Sequence, residues 1–376
     1  MSMNARFSRS QLLALSTLIL LSPALRLYPL TSTRLAGRGA WLSALVALPF
    51  MLADLLLLCR LLSARREGEG LPEVSLNALG ERAGRVFLAL LAGWLLLYCG
   101  FVLRSGADRF VIGTFPDATP SPFSVSLGLA CLIAALGRPR ALMRSARILL
   151  PVLTGFLAFL LLLSLRGMDV HELLPLTGQD VLPVLAGSLP VIDVLALSLY
   201  LPTLLLGGQS PERGAFRRWA RWLLGAALLL CALGAAVLGS FGPELTLRLA
   251  MPFFTLVRNL SFLRSFERMD ALVVSLWLFP DFLLGSCLLW CAQHCLRLCL
   301  RLPEEPEQGP RLSMSRGRWL LWLCAAAAIA LSLLLWPDGK RLALWSERVI
   351  PLCNLCVAFL LIPMIYIVGR ARKKLP

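Results

Sequence analysis

Ten apolar stretches follow one another along this chain, at about 9–30, 39–62, 84–104, 122–137, 146–165, 184–207, 218–241, 269–297, 318–336 and 349–369. Each is near the roughly 20 residues a helix needs to cross the hydrocarbon of a bilayer. In lipid every backbone N–H and C=O must be satisfied within the protein, so spans of this length are expected as helices. With 58% of residues apolar and only short gaps between the runs, no soluble domain is hidden among them. The first span is expected to stay in the mature chain. Arg6 and Arg9 precede it, but no small-residue cleavage site follows before "SPALRLYPL".

Basic residues orient such a bundle. If the chain starts inside, roughly 24 of the 37 Lys and Arg fall on the cytoplasmic side, in runs such as "RLLSARREGEG", "GRPRALMRSAR", "ERGAFRRWAR" and "GRARKKLP". Both termini, and the loop from Pro303 to Arg318, are therefore expected in the cytoplasm. The net charge of +16 lies at span ends and forms no single basic face with interleaved aromatics, which argues against a nucleic-acid partner.

Two cysteine patterns invite a metal reading. Cys287, Cys291, Cys295 and Cys299 recur every fourth residue near His294, and Cys353 and Cys356 form a CxxC. One stripe of a single helix does not converge on an ion, and free cysteine is mostly a buried small hydrophobe, so packing is the expected role. His171 and His294 are the only histidines, and no glycine-rich phosphate loop, nucleophile elbow or HExxH is present. No catalytic residue, metal or cofactor is expected.

Polarity inside the spans is the informative remainder. Asp54, Asp193 and Asp281 fall within spans two, six and eight, where each charged aspartate costs about 2.5–3.5 kcal/mol on the insertion scale. They are expected to face the bundle interior, either with a structural partner or on a ligand or ion path. Span one carries Pro23, and span six, "GSLPVIDVLALSLYLP", carries Pro190 and Pro202 around Asp193. Proline removes a helical donor, so both spans read as discontinuous. Breaks at corresponding positions five spans apart point to an inverted-repeat transporter fold with its site at the midplane. The predicted repeats run from about 9 to 166 and from about 181 to 369.

Several segments taken together carry a family resemblance: "FSRSQLLALSTLILLSPALRLYP" with "LAGRGAWLSAL"; "LYCGFVLRSGADRFVIGTFPDATP"; "LLPLTGQDVLPVLAGSLP"; and "MPFFTLVRNLSFLRSFERMDALVVSLWLF". In their order and spacing the chain resembles the GerAB-type spore germination permeases, the B subunits of nutrient germinant receptors in the amino acid-polyamine-organocation superfamily. The resemblance implies an all-α fold of ten transmembrane helices in a five-plus-five inverted repeat, like LeuT. It implies a receptor subunit in the spore inner membrane that binds a small nutrient, expected to be an amino acid, with A-type and lipoprotein C-type subunits as partners. The rival expectation is a proton-coupled amino acid transporter, and a structural scaffold is a third reading.

The resemblance also implies where the ligand goes. Ser22, Pro23, Ala24 and Leu25 mark the break in span one, where the N–H groups of Ala24 and Leu25 would meet an anion. Arg26 either adds a charge there or snorkels to the interface. Tyr98 in span three, Asp193 in span six and Asp281 in span eight complete the candidate set. Met251 to Phe266 is expected as an amphipathic segment that carries Arg264, is followed by the cluster Glu267, Arg268 and Asp270, and seats span eight at the outer interface.

Overall fold

The computed structural model describes residues 8–372 apart from 64, 67, 116, 138, 207–213, 261–268 and 303–315. Each predicted span has its helix. The first five are α1 (Arg9–Ala36), α2 (Ser43–Ser63), α4 (Glu81–Thr114), α5 (Pro120–Leu136) and α6 (Pro139–Ser164). The second five are α7 (Val181–Thr203), α8 (Ala215–Arg248), α10 (Met269–Cys299), α11 (Arg316–Leu334) and a composite tenth span of α12 (Gly339–Leu344), α13 (Ile350–Cys356) and α14 (Ile362–Ala371). Two short helices lie between spans, α3 (Leu71–Leu79) and α9 (Pro252–Asn259). Among the described residues, seven helical stretches are long and apolar enough to cross a bilayer, and α5 and α11 are shorter apolar helices.

The packing pairs the two halves. α1 lies on α7, α2 on α8, α4 on α10 and α5 on α11, so four spans each contact the span five places later. One continuous apolar core joins them, with Leu15, Leu18, Tyr98, Phe101, Tyr200 and Trp277 fully buried. The cysteine stripe belongs to it: Cys287, Cys291 and Cys295 are buried, and the Sγ atoms of the first two lie 4.0 Å apart.

Three expectations need correction. α1 runs unbroken through Pro23 and Pro29, and α7 runs unbroken through Pro190. A proline in a membrane helix leaves a carbonyl one turn back without its donor, and neighbouring helices and hydroxyl groups make that tolerable. Neither span is discontinuous. The kink falls instead in α8 at Gly242, whose φ of 68° is open to glycine and which precedes Pro243. Span three, expected to end at residue 104, continues to Thr114 because its outer charges find partners inside the bundle.

The tenth span contains two π-helical turns, Trp345–Val349 and Val357–Leu361. Each precedes a proline, Pro351 and Pro363. The missing proline donors shift the ladder to wider bonds: the Ile350 N–H reaches Trp345 O and the Ile362 N–H reaches Val357 O, five residues back. At Met251 the expected amphipathic segment begins as α9, with Phe253, Leu256 and Val257 buried. Arg264, Glu267, Arg268, the loop 303–315 and the side chain of Asp270 lie outside what is described.

Two glycines of α4 test how tightly the halves approach. A Cβ at Gly100 would stand 2.8 Å from the carbonyl oxygen of Ala328, whereas one at Gly93 meets nothing within 4 Å. Gly100→Ala is expected to cost about 1–3 kcal/mol by overpacking, and Gly93→Ala to gain up to about 1 kcal/mol through helix propensity. Thermal unfolding of the two variants in one detergent checks this, and equal midpoints would contradict it.

Candidate functional site

The site starts from a carboxylate that cannot stay alone. Asp281 is 1% exposed and stands beside Pro280 in α10. Its Oδ1 accepts a hydrogen bond of 2.5 Å from the Ser22 hydroxyl of α1, and its Oδ2 accepts from the Arg109 guanidinium of α4 in a buried ion pair. Gly106 lets α4 come this close, since a Cβ there would lie 3.0 Å from Asp281 Oδ2. Three helices from both halves thus meet at one charged junction.

One turn beyond Ser22, Arg26 turns inward. Its Nη1 donates to Ser105 Oγ, and its guanidinium lies 4.6 Å from the centre of the Phe101 ring. Tyr98, Arg109, Asp281 and Asp193 all act on it electrostatically. Its Nε and other terminal nitrogen are buried and meet no acceptor in good hydrogen-bond geometry, although the Tyr98 hydroxyl lies close by. Of the two roles expected for Arg26, the structure shows an inward charge and no snorkelling.

Asp193 of α7, 2% exposed, forms the other side. Asn354 of α13 donates to it at 2.6 Å, Tyr200 donates to Asn354 Oδ1 at 2.8 Å, and Trp94 Nε1 donates to the Tyr200 hydroxyl at 3.2 Å. Along α4 the rings of Trp94, Tyr98 and Phe101 stack at 5.6 and 6.0 Å, and Trp336 closes the row edge-on. The formal charges of Arg26, Arg109, Asp193 and Asp281 sum to zero.

The structure therefore brings Ser22, Tyr98, Asp193 and Asp281 around Arg26. Pro23, Ala24 and Leu25 lie within the unbroken α1, where the N–H groups of Ala24 and Leu25 serve the helix and do not stand free for an anion. Asp54 is buried as expected, at 4% exposed, but makes no hydrogen bond and stands apart from this cluster. Arg109, Ser105 and Asn354 were not foreseen. Tyr98, Phe101, Ser105 and Arg109 recur at helical spacing, a signal that would have extended span three and exposed the last two.

Beside Arg26 a cavity of about 410 Å³ opens between α1, α4, the α8–α9 junction and the tenth span. Arg26 and Ser105 line its depth. Arg34 of α1 and Glu347 of the first π turn form an ion pair at its wall. At the opposite end, Glu73 of α3 accepts from His294 at 2.7 Å and from the Gly70 N–H at 2.7 Å. Burial pushes the Glu73 carboxyl up, but these bonds and the His294 ring outweigh it and hold the group below its ordinary 4.5.

The solved structure of Mhp1, a nucleobase-cation-symport-1 family transporter in a closed conformation with bromovinylhydantoin bound, is similar to this chain. The two share 14% identity, the match covers 93% of this chain and 77% of that one, and the TM-score is 0.65. Fold and apolar helices together define an all-α integral membrane protein with a five-plus-five inverted-repeat transporter fold. The sequence profile described as spore germination protein matches residues 6–333. The chain belongs to this spore germination permease family. No curated protein matches it.

Two predictions follow from the geometry. Removing one member of a buried ion pair costs about 3–5 kcal/mol, while replacing both with apolar groups is often tolerated. Arg109→Gln should therefore unfold at markedly lower temperature than the wild type, and Arg109→Leu combined with Asp281→Leu should recover most of the loss; an undisturbed Arg109→Gln protein would refute the pair's role. For Glu73, a lowered folded value means stability that is present above the unfolded pKa and lost as pH falls through the folded one. Glu73→Gln should be less stable than wild type at neutral pH, with the gap closing below about pH 4.5, as read from melting temperatures across that range.

Proposed function

We propose that this chain is the nutrient-sensing B subunit of a germinant receptor, and that it binds a small zwitterion, an amino acid, in the outer cavity with the ligand carboxylate on Arg26. The observation that carries this reading is the half-satisfied guanidinium of Arg26 beside that cavity. A buried donor without a partner costs roughly 1–3 kcal/mol, more for a charged group, and a carboxylate is the acceptor that fits a guanidinium fork. The formally neutral four-charge cluster suits a ligand without net charge. Ser22, Tyr98, Asp193 and Asp281 hold Arg26 and shape the floor, while Pro23, Ala24 and Leu25 act through the course of α1. The repeats run from about 9 to 166 and from about 181 to 369. Both termini are cytoplasmic, the protein resides in the spore inner membrane, and A-type and C-type subunits receive the signal.

Signalling requires only that the ligand favour one of two packings. A second reading, a proton-coupled amino acid transporter, is favoured by the likeness to a transporter fold.

Calorimetric titration of the purified protein with a panel of amino acids tests the first reading. Arg26→Gln should weaken binding about tenfold to a hundredfold, the worth of a charged hydrogen bond, and Asp54→Asn should leave it unchanged. Equal affinity in Arg26→Gln and wild type would remove the site. In vesicles containing this chain alone, binding without proton-driven accumulation is expected. Accumulation of labelled amino acid that collapses with the proton gradient would establish the transporter instead.

A further inference from the structure

An amino acid with its carboxylate on Arg26 still needs an acceptor for its ammonium group. Two carboxylates line the cavity beside Arg26, Asp108 of α4 and Glu347 of the first π turn, and they stand at different levels. Glu347 is closed against Arg34 in an ion pair, and Arg34 is eight residues beyond Arg26 on α1, about 12 Å along the axis. Asp108 is three residues beyond Ser105, the side chain that accepts from Arg26. That is about 4.5 Å along α4, and residues three apart share a helix face.

Asp108 is also fixed in its place. Its Oδ1 lies 3.2 Å from Arg104 Nε, and Arg104 is pinned in turn by donating to the Pro337 carbonyl at 3.1 Å and to Ser121 Oγ at 3.5 Å. Asp108 lines the cavity and Arg104 does not, so the carboxylate has its guanidinium behind it and the open space in front. An ionised carboxylate has two oxygens and about four lone-pair sites. One partner at Oδ1 therefore leaves acceptor capacity on the cavity side. With only 12% of its side chain exposed, Asp108 can be reached by a ligand while being largely withdrawn from bulk water, where an ionic hydrogen bond is weakened.

The length of an α-amino acid decides between the two acids. Its nitrogen is about 2.5 Å from its carboxylate carbon by standard bond lengths and angles, and a hydrogen bond of about 2.9 Å at either end extends its reach to about 8 Å. That is enough to bridge the single turn between the levels of Arg26 and Asp108, and too short for the level of Glu347. The wall around this span is apolar, with Leu30 of α1, Ile112 of α4 and Leu342 of α12. We propose that Asp108 receives the ammonium group of the ligand and so selects an apolar α-amino acid over the corresponding carboxylic acid. The assignment rests on the reading of this cavity as an amino acid site with the carboxylate on Arg26.

Calorimetric titration of the purified full chain with L-leucine and with 4-methylpentanoate, the same skeleton without its amino group, tests it. The wild type should bind leucine at least tenfold more tightly than the acid. Asp108→Asn should lose about tenfold to a hundredfold in leucine affinity, as expected for one hydrogen bond to a charged group, and should keep its affinity for 4-methylpentanoate. Asp108→Glu should retain most of the preference, Glu347→Gln should retain all of it, and Arg26→Gln should weaken both ligands together. A merely structural partner of Arg104 would change the melting temperature, or both affinities in parallel, but not their ratio. Equal binding of the two ligands by the wild type, or an unchanged preference in Asp108→Asn, would overturn the role of Asp108 and leave the carboxylate site on Arg26 standing. Failure of the folded wild type to bind either ligand would overturn both.

Discussion

A single ion pair in a medium that does not tolerate lone ions governs the centre of this protein. Arg109 and Asp281 are both nearly inaccessible, and either without the other would face a desolvation cost of several kcal/mol. The pair ties α4 of the first half to α10 of the second, and Ser22 draws α1 to the same point. Gly106 makes this approach sterically possible, and Gly100 lets α11 come close to α4 from another side. Once Ser22 is fixed, Arg26 follows one turn later on the same helix, and its place between Phe101, Ser105 and Asp193 is a consequence of that registry.

Much of this was legible in the sequence, for a simple reason. Lipid converts hydrophobicity directly into helix, so all ten spans could be read from composition, and carboxylates in apolar runs had to point inward, as Asp54, Asp193 and Asp281 do. What escaped depends on distant partners. Arg104 marks a span end if helices end at charges, yet here it pairs with Asp108 at 3.2 Å and donates to the Pro337 carbonyl at 3.1 Å, so α4 continues another ten residues. The prolines misled for the complementary reason. A lost helical bond is a local fact, but whether the helix opens is decided by what packs around it, and around Pro23 and Pro190 the bundle holds α1 and α7 closed. Asn354 carries no local signal at all; only the fold brings it to Asp193, 161 residues away.

A permease scaffold in a germination family places binding and movement in one object. The two halves pack span against corresponding span, so a ligand in the cavity between α1, α4, the end of α8 and the tenth span would touch both halves. The physics of sensing and of transport is shared up to that point: each needs one arrangement of helices that holds the ligand better than another. They part only in whether the site is later opened to the other side.

The two π turns of the tenth span give that helix a property that straight helices lack. Each amounts to one extra residue wound into the spiral, and one residue corresponds to about 100° of rotation about the axis. Asn354 lies between the two turns, Glu347 within the first and Arg372 just past the end of α14, where it reaches the Leu79 carbonyl. The three contact faces of this span are therefore set by separate windings. The facing of α13 toward Asp193 is uncoupled in angle from the facing of the cavity wall above it and of the α3 contact below it, so one rod presents three independently aimed surfaces to three different parts of the bundle.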